Sequence, residues 1–304
     1  MHIKKIKEKS ESLSKITTIV ESKKNITLIN ILKLSKQIAF YFERANQSKK
    51  FIETLEAKYA ISNPLIQPEL DINFSILNKL FKSKTTQKLL SKTIWVYVTE
   101  TEQYETNSYS KHEKNILKNA DKDDYFIAIG ESANKFCQEN NFNVVYSSMQ
   151  NEIISTAQEI VNFIENFINF NGYHNVKFVI NSSKIKQEYL DVIPLQKMNF
   201  NLNIKKSKYE EFVDIDKLKI YPDVDTFIDS EIRSYLTYIT LTLLSESGLI
   251  YQKYKLVAEN KKINDLEKKG RKLRLEILRA KREREVEEIS ILSKKKILLH
   301  TKKD

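Results

Sequence analysis

Cysteine, histidine and clustered carboxylates most readily do covalent, acid–base or metal chemistry, and in this chain they are few and badly spaced for it. Cys137 is the one cysteine, so no intramolecular disulfide can form and a reducing, cytoplasmic setting is expected. It follows Phe136 in a stretch of helical spacing, where a small buried thiol is the expected role rather than a nucleophile. His2, His112, His174 and His300 lack metal-ligand spacing and are expected to face solvent or to make local hydrogen bonds. Asp121, Asp123 and Asp124 crowd ahead of an apolar run and read as a solvated turn, from which no acid–base pair can be assigned. A phosphate site would need glycines at the first strand-to-helix turn, so that backbone N–H groups could approach the ligand. The turn Thr99-Glu100-Thr101-Glu102-Gln103 has none and carries two carboxylates that repel phosphate. Gly130 stands alone after a second apolar run and reads as an ordinary turn, and no Walker lysine motif is present. No catalytic residue, metal or cofactor is therefore expected.

Charge gives the one positive signal. The net charge is +11 with 30% charged residues, a balance that calls for an acidic partner: nucleic acid, anionic lipid or an acidic protein surface. The excess sits at the ends. Basic and acidic residues number 13 and 6 over 1–63, 20 and 25 over 64–252, and 18 and 9 over 253–304. The run from Arg271 to Glu285 puts cations around most of a helix and leaves a narrow apolar line. A solvated face explains it, and so does a slot lined with acidic protein side chains. Nucleic acid could use the same cations, but no aromatic residues are interleaved for stacking.

Those ends must be helical. Pro64, Pro68, Pro194 and Pro222 are the only prolines; residues 1–63 contain neither Gly nor Pro, and residues 223–304 contain only Gly248 and Gly270. Ile3, Ile6, Leu13, Ile16, Val20, Ile26, Ile29, Leu32, Ile38 and Phe42 recur at threes, fours and sevens and predict one helical stripe. Ile228, Ile232, Tyr235, Ile239, Leu243, Ile250, Tyr254 and Val257 do the same, continued after a shift by Leu266, Leu273, Ile277 and Ala280. At about 1.5 Å per residue such helices would reach roughly 85 and 110 Å, with stripes as narrow as a coiled-coil seam. No run of about 18 apolar residues occurs, so a chain neither secreted nor membrane-spanning is expected.

The middle reads as α/β. Residues 94–98, 125–129, 143–146 and 176–180 are short runs rich in β-branched and aromatic residues, and 189–193 reads as a returning strand, parallel or antiparallel. Residues 132–139 and 152–170 between them have helical spacing, as in a mainly parallel sheet. The fold class expected is α/β with long helices: an antiparallel two-helix coiled coil of the N- and C-terminal helices, over 1–63 and 223–304, plus a small Rossmann-like base domain over 64–222.

This arrangement resembles the gamma subunit of F-type ATP synthase. In that family a Ser-Glu pair in the C-terminal helix is followed fifteen residues on by an Asn, the register of Ser245, Glu246 and Asn260. Pro222 and the acidic amphipathic stretch to Glu231 match what precedes it. A Lys-Ile-Thr string near the family's N-terminus appears at Lys15-Ile16-Thr17 and more loosely at Asn25-Ile26-Thr27, the second fitting better the distance to the first strand. Ile127-Ala128-Ile129-Gly130 resembles a family strand end, and Val192-Ile193-Pro194-Leu195 its closing strand. Of the family's Thr-Asp-Arg-Gly-Leu-Cys-Gly after the first strand only Thr99 carries over, as in a divergent paralogue, for which the F-type-like ATPases linked to gliding motility are a candidate.

The resemblance implies a non-catalytic shaft in the axial cavity of a hexamer of alpha- and beta-like subunits that hold the ATP sites. It implies an epsilon-like or other subunit at the base, and attachment to the cytoplasmic face of the membrane only through the complex. On it, Arg279, Lys281, Arg282 and Arg284 are expected to face acidic loops of the ring, and Ile289, Leu292, Leu298 and Leu299 to form an apolar tip in a bearing. A nucleic-acid-binding or structural coiled-coil adaptor protein is the alternative.

Overall fold

The protein is seen in a computed structural model that describes residues 3–59, 92–100, 109–149, 152–183, 188–195, 198 and 219–300, with side chains up to residue 294. Thr101 to Glu105, His2 and most of 196–219 lie outside these residues. Tertiary contacts divide the chain into two compact units, one of residues 1–30 with 254–304 and one of residues 31–253. Two long helices enter both: α1, Ile3–Tyr59, of 57 residues, and α5, Val224–His300, of 77. The absence of prolines and the scarcity of glycines let both run unbroken.

In the unit of residues 31–253 the centre is a five-stranded sheet of β1 (Thr93–Val98), β2 (Tyr125–Ile129), β3 (Asn143–Ser148), β4 (Asn175–Val179) and β5 (Leu190–Ile193). The strand order is β3-β2-β1-β4-β5, parallel except for β5, which pairs antiparallel with β4. The connections carry α2 (Ser110–Asn119), α3 (Glu131–Glu139) and α4 (Ile153–Asn171). Every residue of β1 is buried, as a central parallel strand covered on both faces requires. Its side chains alternate. Ile94, Val96 and Val98 join Ile127, Ile129, Val176 and Phe178 in a core with α4, the 31–59 part of α1 and the 224–253 part of α5. Trp95 and Tyr97 join Phe126 and Ala128 in a second core under α2 and α3.

The α/β class and both long helices agree with the sequence reading, and the direction it left open for the last strand is antiparallel. Asp124 differs: it is 6% exposed rather than solvated. Its carboxylate accepts from the backbone N–H of Thr93 (3.0 Å), from Trp95 Nε1–H (2.8 Å) and from the N–H of Asp121 (3.0 Å). These three donors compensate its burial. Helix α2 was hidden in the sequence because only Ile116 on it is buried. The apolar stripe of α1 also divides: Ile6, Val20, Ile38 and Phe42 are buried, while Ile16, Ile26, Ile29 and Leu32 are exposed. On α5 Val257 is 57% exposed. The single stripe over-counts because only a coiled-coil seam is covered in the two-helix unit.

Candidate functional site

In the unit formed by the chain's two ends, α1 and α5 lie antiparallel. Leu13 Cδ2 sits 3.5 Å from where a Cβ on Gly270 would be, and seven residues later Val20 packs with Ile263 and Leu266, so one helix rises as the other descends. Covered positions on α1 are Ile3, Ile6, Ser10, Leu13, Thr17, Val20, Lys24 and Thr27, at alternating spacings of three and four. On α5 from residue 263 on they are Ile263, Leu266, Gly270, Leu273, Ile277 and Ala280, with the same alternation, while Tyr254, Lys255, Leu256, Ala258, Glu259 and Asn260 before them are all half-buried. That is a heptad seam. On α1 it is apolar in one column only, since Ser10, Thr17 and Lys24 fill the other, and the hydroxyl of Thr17 turns back onto the Leu13 carbonyl at 2.9 Å.

Large aliphatic residues stand outside the seam. Ile16, Ile19, Ile26 and Ile29 are 46–63% exposed on the flank of α1. An open groove of about 750 Å³ runs between the early turns of α1 and residues 269–276 of α5, with Lys5, Lys9, Leu13, Ile16, Lys272 and Glu276 in its walls.

Beyond Ala280 every residue of α5 to Lys294 is exposed. Arg279, just before Ala280, is exposed as well, with Lys281, Arg282 and Arg284 beyond it, and Arg284 Nε donates to Glu288 Oε1 at 3.1 Å, one helical turn on. Such an exposed pair contributes about 0–1 kcal/mol. Ile289 and Leu292 are 65% and 66% exposed, while the side chains of Leu298 and Leu299 lie outside the described residues.

The family-motif residues fall elsewhere. Ser245 and Glu246 are buried in the α/β unit at 1% and 0% exposure, and Asn260 is half-buried in the helical pair. Glu246 Oε1 accepts from Ser182 Oγ–H at 3.0 Å and from Ser183 Oγ–H at 3.4 Å. Its Oε2, with the hydroxyls of Ser245 and Ser247, has no hydrogen-bond partner among the described residues. Residues 182 and 183 carried no signal in the sequence, because the contact closes a separation of about sixty residues.

The turn around Gly130 is explained by structure rather than by phosphate. Gly130 has φ +94°, and a Cβ there would meet the Thr99 carbonyl oxygen at 2.2 Å. Thr99 Oγ1 accepts the N–H of Ala133 at 3.0 Å and donates to the Ile129 carbonyl at 3.2 Å. The first turn of α3 is thus capped from the end of β1. His174 Nδ1 donates to the Gly172 carbonyl at 2.8 Å, and His112 Nε2 to Asn181 Oδ1 at 3.2 Å. Burial, partly offset by that bond to Asn181, holds His112 below the usual imidazole range. Burial also pushes the Cys137 thiol up to about 12, which keeps it in the unreactive form. Among the described residues no group of His, Cys, Asp and Glu could hold a metal, and no helix is long and apolar enough to cross a membrane.

No family model matches the chain. It is 32% identical over 297 residues to the "Uncharacterized protein UU050" of Ureaplasma parvum serovar 3, an alignment covering 97% of this chain and 94% of that protein. The chain belongs to the UU050 family. Among solved structures this UU050-family chain is similar to one in the rotor of Euglena gracilis mitochondrial ATP synthase in rotational state 1, with 12% identity and a TM-score of 0.46 over 92% of this chain and 98% of that one. A chain of that organism's OSCP/F1/c-ring assembly in rotational state 3 gives 12% and 0.43, covering 99% and 96%. One from the central stalk and c-ring of Tetrahymena thermophila mitochondrial ATP synthase gives 13% and 0.37, covering 75% and 98%.

Proposed function

We propose that this chain is the gamma-like central shaft of an F-type or F-type-like rotary ATPase, a non-catalytic subunit whose partners hold the ATP sites. The observation that carries the proposal is the unit made by the chain's two ends: an antiparallel helical pair whose C-terminal member continues, cationic and exposed, past its partner. The register of Ser245, Glu246 and Asn260 supports the same reading.

A ring of alpha- and beta-like subunits around this pair would meet two surfaces. Arg279, Lys281, Arg282 and Arg284 suit acidic loops, and the aliphatic flank of Ile16, Ile19, Ile26 and Ile29 suits an apolar sleeve. Exposed ion pairs are individually weak, at about 0–1 kcal/mol, and can exchange as the shaft turns. Ile289, Leu292, Leu298 and Leu299 form the bearing tip in this proposal. The division of labour is a long helix over 1–63, a base over 64–222 and a long helix over 223–304. An epsilon-like or other subunit binds the base, and the membrane is reached only through the complex. Ring coupling to protons and a specialised motor such as one for gliding motility are the two candidate outputs.

The test is recovery of the tagged full chain from cells. Co-purification of nucleotide-binding subunits in excess over the chain, with no ATPase activity in the chain alone, is the expected result. Recovery of nucleic acid instead, with affinity falling steeply as salt rises, would replace the shaft by a nucleic-acid-binding coiled coil.

A further inference from the structure

Two buried polar side chains on one face of α5 reach the sheet at two separate points. Tyr235 is 0% exposed and its hydroxyl donates to the Val192 carbonyl of β5 at 3.1 Å, with Met198 Sδ 3.0 Å from the same oxygen. Glu246 is 0% exposed and accepts from Ser182 and Ser183, just past the end of β4. Eleven residues separate Tyr235 from Glu246, close to three helical turns, so both project from one side of α5 about 16 Å apart. Their anchor points are comparably spaced. Val192 lies beside the start of β4, between the pairs Val176 with Ile193 and Lys177 with Asp191, and Ser182 lies beyond its end, roughly 20 Å away by strand rise. This stretch of α5 therefore runs along β4 and is tied to the β4–β5 edge at both ends.

Between and around the ties Ile228, Ile232, Ile239 and Leu243 belong to the main core; Thr240, Thr242, Ser245 and Ser247 are buried there too, and the Thr242 hydroxyl turns back onto the Tyr238 carbonyl of the same helix at 2.7 Å. Apolar packing resists separation, but it discriminates weakly between neighbouring registers, because aliphatic side chains of similar volume can exchange places at little cost. A buried carboxyl and a buried phenol find their partners at one rotation and one axial position only.

We propose that Tyr235 and Glu246 are the two pins that lock the rotational and axial setting of α5 on the sheet, and so transmit torque between helix and α/β unit. The torque clause rests on the shaft reading above; the locking does not. Both are positioning residues.

Spin labels on introduced cysteines at the exposed Lys118 and Lys253 measure the setting by pulsed electron resonance in the full chain, the native Cys137 being buried. Wild type and E246Q, which keeps Oε1 as acceptor, are expected to give one narrow distance. The double variant Y235F/E246L is expected to add a second population displaced by roughly one helical turn, about 5 Å. L243A, in the same core, is expected to lower Tm and leave the distance single. Y235F/E246L leaves the Val192 carbonyl and the Ser182 and Ser183 hydroxyls without these partners and should lower Tm as well, so the second distance, not Tm, separates it from L243A. A single unshifted distance in Y235F/E246L overturns the pins, whatever the pull-down of the ring shows. A failed pull-down with a displaced distance leaves the pins standing and removes only their role in torque.

Discussion

In the α/β unit a strand such as β1 is covered on both faces and every one of its residues is buried, whereas in the helical pair, from residue 263 of α5 on, only one face of each helix is covered. The contrast extends to the depth of burial: Ile94, Val96, Phe126 and Ile127 are at 0%, but Ile6, Val20, Ile263 and Leu266, the most covered apolar side chains of the helical pair, are at 5–9%. Two helices side by side can shield only a stripe, and here half of that stripe on α1 is polar. The sheet domain thus buries far more apolar surface, and the pair leaves a cationic arm and an aliphatic flank exposed, the surfaces that a ring would cover in the proposed shaft role.

Unfolding tests this contrast most strongly. Trp95, the one tryptophan, lies in the sheet with its indole N–H on Asp124, so its fluorescence follows the α/β unit alone. In urea the helical signal should begin to fall before Trp95 responds; coincident transitions would mean the two regions are one cooperative body. F178A, at 1% exposure, should cost about 3–5 kcal/mol and shift the fluorescence transition, while L266A in the seam should cost less and shift only the early helical loss.

Gly130→Ala sharpens the same contrast from the backbone. It forces a Cβ against the Thr99 carbonyl at positive φ and should cost about 1–3 kcal/mol by thermal melt. Gly270, which has only Leu13 Cδ2 at 3.5 Å, should accept alanine with unchanged or higher stability, since alanine favours helix by about 1 kcal/mol. Equal losses at the two glycines would erase the distinction.

Cys137 gives a smaller effect. With its thiol pushed up to about 12 by burial, labelling near neutral pH should be slow in the folded chain and rise to the free-thiol rate only in denaturant. Rapid labelling of the native protein would place α3 in the loose region rather than the firm one. Smallest of all is the stability change in R279E/R282E, within about 0.5 kcal/mol for exposed positions. Its effect should appear instead in recovery of the partner ring.

The large features were legible because they depend on what the chain lacks or repeats. The proline-free ends announced α1 and α5, and β-branched and aromatic runs announced the five strands. What escaped depends on partners far along the chain. Nothing near Ile16 or Ile26 says that the seam passes through Leu13 and Val20 instead; that is set by which face meets α5. Asp124 read as solvated because its donors, Thr93 and Trp95, stand about thirty residues earlier. Glu246 was noticed for its motif, while its contacts with Ser182 and Ser183 required the fold.

In the proposed shaft role the helical pair sits inside a ring made by other chains. Electron microscopy of the native complex, purified through this chain and marked by an antibody fragment on the α/β unit, tests it directly. A six-membered ring with one density along its axis, and the mark at one end of that axis, is the expected image. The chain alone, or bound along a filament or nucleic acid with no ring, would contradict it.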